Sequence, residues 1–128
     1  MGYRVEFYES EKGKCEIWDF LESLRKEAPT NKNSRVQYNS ISLYIQLLQD
    51  NGTLLPVNVT KHLEEDLWEL RPGNNRIIYF YFDEGTYVLL HHFRKTTVKT
   101  PRREIERAKA NRDDYVRRKR VNNNENLG

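Results

Sequence analysis

One cysteine, one methionine and four prolines are all that the 128-residue chain has of those residue types. A lone cysteine excludes an internal disulfide, hence a fold stapled by bridges, and it favours a reducing compartment. Cys15 opens a helical pattern, where buried filler is expected of it rather than a reactive thiol. No apolar run approaches the roughly 20 residues that a membrane-spanning helix needs, and the mean hydropathy is −0.92. With 32% charged residues, a chain of this length reads as one soluble domain with a real core. Met1-Gly2-Tyr3 leads straight into a strand-like segment without signal-peptide character, so a cytoplasmic protein is expected. One cysteine and three histidines (His62, His91, His92) have no zinc-ligand spacing. No glycine pattern for a phosphate-bearing cofactor is present either. Neither a metal nor a cofactor is expected.

Charge is unevenly spread. Residues 1–85 hold 10 Lys and Arg against 14 Asp and Glu, whereas residues 86–128 hold 12 against 5. The second part therefore suits a polyanion such as nucleic acid, or else forms a basic, solvated helix.

Tyr3 to Tyr8 alternates as a first strand. Ile17, Trp18, Phe20, Leu21 and Leu24 recur at three- and four-residue spacing, which predicts an amphipathic helix from Cys15 to Glu27. Ala28-Pro29 stops it. A second helix is expected from about Ser34 to Asp50, closed by Asn51-Gly52. Lys61-His62-Leu63 reads as a short turn. Leu67–Arg71, Arg76–Asp83 and Thr86–Phe93 read as three strands, separated by Pro72-Gly73-Asn74-Asn75 and Glu84-Gly85. Thr100 is the expected N-cap, with Pro101 in the first turn, of a weakly amphipathic helix that ends near Arg118. Residues 1–118 then form one α+β domain, and residues 119–128 a basic, Asn-rich tail without order. The two front helices are expected to cover one face of a mostly antiparallel sheet. The opposite face is expected to stay partly open for a large ligand.

Basic side chains crowd the strand ends: Arg71, Arg76, His91, His92, Arg94, Lys95 and Lys99, with Tyr79, Tyr81 and Tyr87 between them. Cations interleaved with aromatic rings suit a phosphate backbone and stacked bases. Arginines at 71 and 76 can bind phosphate oxygens through a bidentate fork, or pair with Glu69, Asp83 or Glu84. A lysine among other cations can serve as acid or base as well as counter-charge. His91 and His92 are consecutive on a strand and so face opposite ways, and either could shuttle a proton. Tyr79 and Tyr81 share a strand face and either stack a base or pad the sheet.

The Lys61…LWELR…Arg76 spacing, followed by LLHHF, Arg94, Lys95, TTVKTP and EIERA, resembles the RelE/HigB-type toxins of toxin–antitoxin modules, in their phage-derived Gp49-like branch. The resemblance runs from about Tyr3 to Tyr115. It implies a RelE/ParE-like fold and a ribosome-dependent endoribonuclease that cuts translated mRNA by metal-free attack of the 2′-OH on the phosphate. It also implies an antitoxin partner, commonly a helix-turn-helix protein of HigA type. By the same resemblance Arg71, Arg76, Lys95 and Lys99 form the catalytic set, to which His92 is added from its own chemistry, as a proton shuttle. Lys61, Tyr79, Tyr81, Arg94 and Arg102 would contact RNA, and Arg117-Arg118-Lys119-Arg120 would help docking on ribosomal RNA. His92 stands where a glycine is common, and Thr96 where a second lysine is common. Two other readings share the scaffold: a ParE-like toxin acting on DNA gyrase, and a decayed module that no longer cuts.

Overall fold

The computed structural model describes residues 2–127. Its elements are β1 (Arg4–Phe7), α1 (Glu16–Glu27), α2 (Lys32–Asn51), β2 (Thr60–Glu64), β3 (Leu67–Leu70), β4 (Asn75–Asp83), β5 (Thr86–Arg94) and α3 (Arg102–Leu127). They form an α+β fold around one five-stranded sheet of order β1-β5-β4-β3-β2. β1 runs parallel to β5, and every other pairing is antiparallel.

Strand alternation divides the core in two. Leu70, Ile77, Tyr79, Tyr87 and Leu89 point to the α1–α2 hairpin and meet Ile17, Leu21, Leu24, Ile41 and Leu48. Leu67, Ile78, Phe80, Val88 and Leu90 point the other way, onto Ile105, Ala108 and Tyr115 of α3. The second face is therefore covered, not open as the sequence suggests. Ile78, Phe80, Val88 and Leu90 make that face too apolar to leave in water, and the sparse apolar stripe of α3 is enough to bury it. α3 also continues past Arg118 through Leu127.

Two more segments differ from what the sequence suggests. The segment expected as a turn at Lys61-His62-Leu63 is an edge strand, β2, paired with β3. Lys61 and His62 are exposed there, so the segment lacks the apolar alternation that marks a half-buried strand. Thr100 does not cap α3; its hydroxyl donates to the Glu69 carboxylate at 2.7 Å. Helix α2 does begin with a side-chain cap, Asn31 accepting from the Ser34 N–H at 3.0 Å. It ends at Gly52, where φ is 60° and a Cβ would sit 2.8 Å from the Tyr87 hydroxyl.

Register fixes which histidine faces which layer. Ile78 pairs with His91 but Tyr79 pairs with Leu89, leaving Leu90 as an extra residue on β5. Past this bulge His91 lies beside α3, its Nε2 2.9 Å from Glu104 Oε1. His92 lies beneath α1, stacked on Phe20 with ring centroids 4.6 Å apart.

Candidate functional site

The β2–β3 hairpin, the segment before α3 and the first turn of α3 enclose a cleft of about 670 Å³. Lys61, Glu69, Arg71, Lys99, Thr100 and Arg102 are among the residues that line it. Glu69 is the floor. It follows Leu67 by two positions on β3 and so points to the α3 side, where its carboxylate is only 1% exposed.

A buried carboxylate needs donors. Glu69 Oε2 accepts the Thr100 hydroxyl, while Oε1 lies 3.4 Å from Arg71 Nε and 3.8 Å from Arg76 Nε. The two arginines are held differently. Arg76 is buried, and its Nη1 donates to the Gly73 and Asn75 carbonyls at 2.8 and 2.9 Å, locking the β3–β4 turn. Burial pushes its pKa down, Glu69 opposes that, and the neighbouring charge of Arg71 adds to the depression. Arg71 has only a long contact from Nη1 to the Val57 carbonyl at 3.4 Å, and its Nε is buried with no hydrogen bond. Its guanidinium has donor capacity to spare.

Much of the basic charge on α3 is consumed within the fold. Arg102 grips Glu64 at 2.6 and 2.7 Å and also bonds Glu106, and these contacts, with Glu64 first, raise its pKa. Lys109 lies 2.5 and 2.7 Å from Glu64 and Glu65. Arg112 meets Asp66 at 2.5 Å, and Arg117 and Arg118 bond Asp114. Among the described residues, Lys61, Lys95 and Lys99 have no such acidic partner. Arg107, Lys119 and Arg120 of α3 have none either; the cleft is set apart because two such lysines stand there beside Arg71.

The structure therefore sorts the residues that the sequence groups together. Arg71, Lys61, Lys99 and Arg102 line the cleft, and Arg76 backs it. Lys95 is exposed next to the β3–β4 turn, its N–H donating to the Asn74 carbonyl at 2.8 Å. Four expected residues lie elsewhere. Tyr79 is 0% exposed in the hairpin-side core, bonded to the Thr60 hydroxyl at 2.7 Å, and cannot stack a base. Tyr81, on that same face toward the β4–β5 turn, bonds the Gly85 N–H. Arg94 donates to Gln37 of α2 at 3.1 Å. His92 sits under α1, with its pKa lowered first by burial and then by His91. All four share one cause: they project to the hairpin side, whereas the cleft is on the α3 side.

Thr100 is a cleft residue that the sequence does not reveal, since it passes for a helix cap; Glu69 is expected there as an ion-pair partner of the arginines, which it is, but not as the buried floor of the cleft. The available signal was an acidic residue set inside LWELR with apolar neighbours. A second cavity, about 290 Å³, is lined by Tyr8, Lys14, Ile17, His91, Arg107 and Asn111 among others. It contains none of the clustered arginines. Among the described residues no three His, Cys, Asp or Glu side chains group as a cation site, and no helix is long and apolar enough to cross a membrane.

Residues 21–113 match the family model described as Phage derived protein Gp49-like (DUF891), a toxin-like family of toxin–antitoxin modules. The matched span runs from α1 into α3 and contains every residue of the cleft. No curated protein matches the chain.

Proposed function

The chain belongs to the phage-derived Gp49-like family, and on that premise we propose that it is the toxin of a toxin–antitoxin module and cuts translated mRNA on the ribosome. One observation carries this reading. The cleft gathers Lys61 and Lys99, which lack acidic partners, around an arginine with spare donors. Cleavage of RNA without a metal uses the substrate's own 2′-oxygen. That oxygen bonds to the adjacent phosphorus as the 5′-oxygen departs, its proton passing to a base while the leaving oxygen takes one from an acid. The products are a 2′,3′-cyclic phosphate and a 5′-hydroxyl. Negative charge accumulates on the phosphorane, and fixed cations in a partly dry site are the main means of stabilising it.

Arg71 is assigned to the non-bridging oxygens, because a guanidinium holds two of them at once and stays charged. Lys99 and Lys61 flank it, and Lys95 meets the strand outside the cleft. Arg76 keeps the β3–β4 turn in place and adds positive potential from behind. Arg102 reaches RNA only by giving up Glu64. An antitoxin goes with a toxin-like family, and a helix-turn-helix protein with an acidic segment suits this basic cleft.

The test is purified protein on ribosomes loaded with mRNA, with 5′ ends mapped for wild type and for Arg71→Ala combined with Lys99→Ala. In-frame cuts are expected from wild type, and the double variant should lose about 100-fold or more in rate. Inhibition of gyrase supercoiling without RNA cuts would overturn the reading.

A further inference from the structure

The segment between β5 and α3 carries two of the free cations, Lys95 and Lys99, and is exposed from Lys95 through Lys99. Two contacts tie it to the sheet. At its start the Lys95 N–H donates to the Asn74 carbonyl at 2.8 Å. At its end the Thr100 hydroxyl donates to Glu69 Oε2 at 2.7 Å. The bond from Thr97 Oγ1 to the Lys99 carbonyl, 2.6 Å, stays within the segment. One buried carboxylate thus fixes where Lys99 stands, and its other oxygen faces Arg71 and Arg76.

The contact with Arg71 is of a particular kind. At 3.4 Å the Nε is close enough for charge attraction, yet it makes no hydrogen bond. A phosphate, which offers two oxygens to one guanidinium, can win such a side chain from Glu69 without breaking a formed bond. Thr100, in contrast, has nothing better to move to.

We propose that Glu69 is a positioning residue: through Thr100 it presets Lys99, and through charge alone it keeps Arg71 aimed into the cleft until a phosphate takes it over. This rests on the reading of the cleft as an RNA-cleaving site. Glu69 acts by placing these two cations, not as a reacting group. Its two oxygens have separable tasks, so two substitutions act differently. Thr100→Val removes the tie to the segment and leaves the arginines their counter-charge. Glu69→Gln keeps an oxygen for the Thr100 hydroxyl and removes the counter-charge.

Limited trypsin digestion of the full chain reads the first task without any RNA, at the exposed bond after Lys95. Thr100→Val should speed hydrolysis of that bond about tenfold or more, and Thr100→Ser should restore resistance. RNA cleavage should fall about tenfold in Thr100→Val and recover in Thr100→Ser. Glu69→Gln should resist trypsin like wild type yet cut RNA about tenfold more slowly, with urea denaturation confirming that it is folded. Unchanged digestion and RNA cleavage in Thr100→Val overturn the proposal. So does a Glu69→Gln protein that trypsin opens after Lys95 as fast as it opens Thr100→Val. The expected digestion pattern from a wild type that cuts no RNA supports the preset segment and overturns the nuclease reading instead.

Discussion

Tyr79 shows how far a residue's identity underdetermines its task. An aromatic ring with a hydroxyl on a strand among cations suits base stacking, but this ring is wholly enclosed, and burial raises the pKa of its hydroxyl. The Thr60 hydroxyl donates its one proton to the Glu69 carbonyl at 3.0 Å. Tyr79 must therefore be the donor in the 2.7 Å contact between the two hydroxyls. Tyr79→Phe should cost about 1 kcal/mol of stability, read from urea denaturation, because a buried acceptor loses its donor. Cleavage by the folded variant should be unchanged. A loss of cleavage at unchanged stability would return Tyr79 to the RNA surface. Arg71 was legible as a phosphate ligand because its chemistry is the same in any setting. As the cleft floor Glu69 was not, because only its burial makes it matter.

At the scale of elements, the strands and helices follow from local chemistry, and the turns show where that chemistry was compromised. The β4–β5 turn has positive φ at both central residues, 47° at Glu84 and 78° at Gly85, the geometry that matches strand twist. Glycine accepts it freely, whereas a glutamate there is strained. Glu84→Asn should raise stability by about 0.5–1 kcal/mol, visible as a higher melting temperature, since asparagine tolerates the left-handed region. No gain would mean that Glu84 makes a compensating contact. β2 shows the opposite case. Its residues carry weak strand signals, and it is a strand because the free edge of β3 offers a ladder of backbone partners.

Across the whole molecule, α3 is clamped to the β2–β3 turn by ion pairs of Arg102, Lys109 and Arg112 with Glu64, Glu65 and Asp66. Contacts with Arg102 first and then Lys109 hold the Glu64 carboxyl down at about 2. Asp114 is likewise held at about 2, first by the Tyr8 hydroxyl and then by Arg118 and Arg117. In the unfolded chain such groups titrate near about 4.3 and about 3.9. As the pH falls below those values the unfolded state binds more protons than the folded one, so stability falls with pH. The contribution is fully present above about pH 5 and is lost as pH approaches 2. The melting temperature should therefore stay level between about pH 7 and 5 and drop between about 4.5 and 2, with α3 amides losing protection first. A melting temperature that stays level down to about pH 2.5 would overturn this account. Glu64 and Glu65 are solvent-accessible, so added salt should weaken the clamp in the same direction.

The helical hairpin, the three central strands, the resemblance to a toxin family and the residue types a phosphate site needs were all legible along the chain. Those depend on periodicity and side-chain chemistry, which are local. Tertiary structure alone decided which of the basic and aromatic residues share a face. A single bulge at Leu90 sends His91 to α3 and His92 to α1. Pairing with the β2–β3 turn neutralises cations that look available along the chain. Strand register and ion pairing join residues far apart in sequence, and no local pattern encodes either.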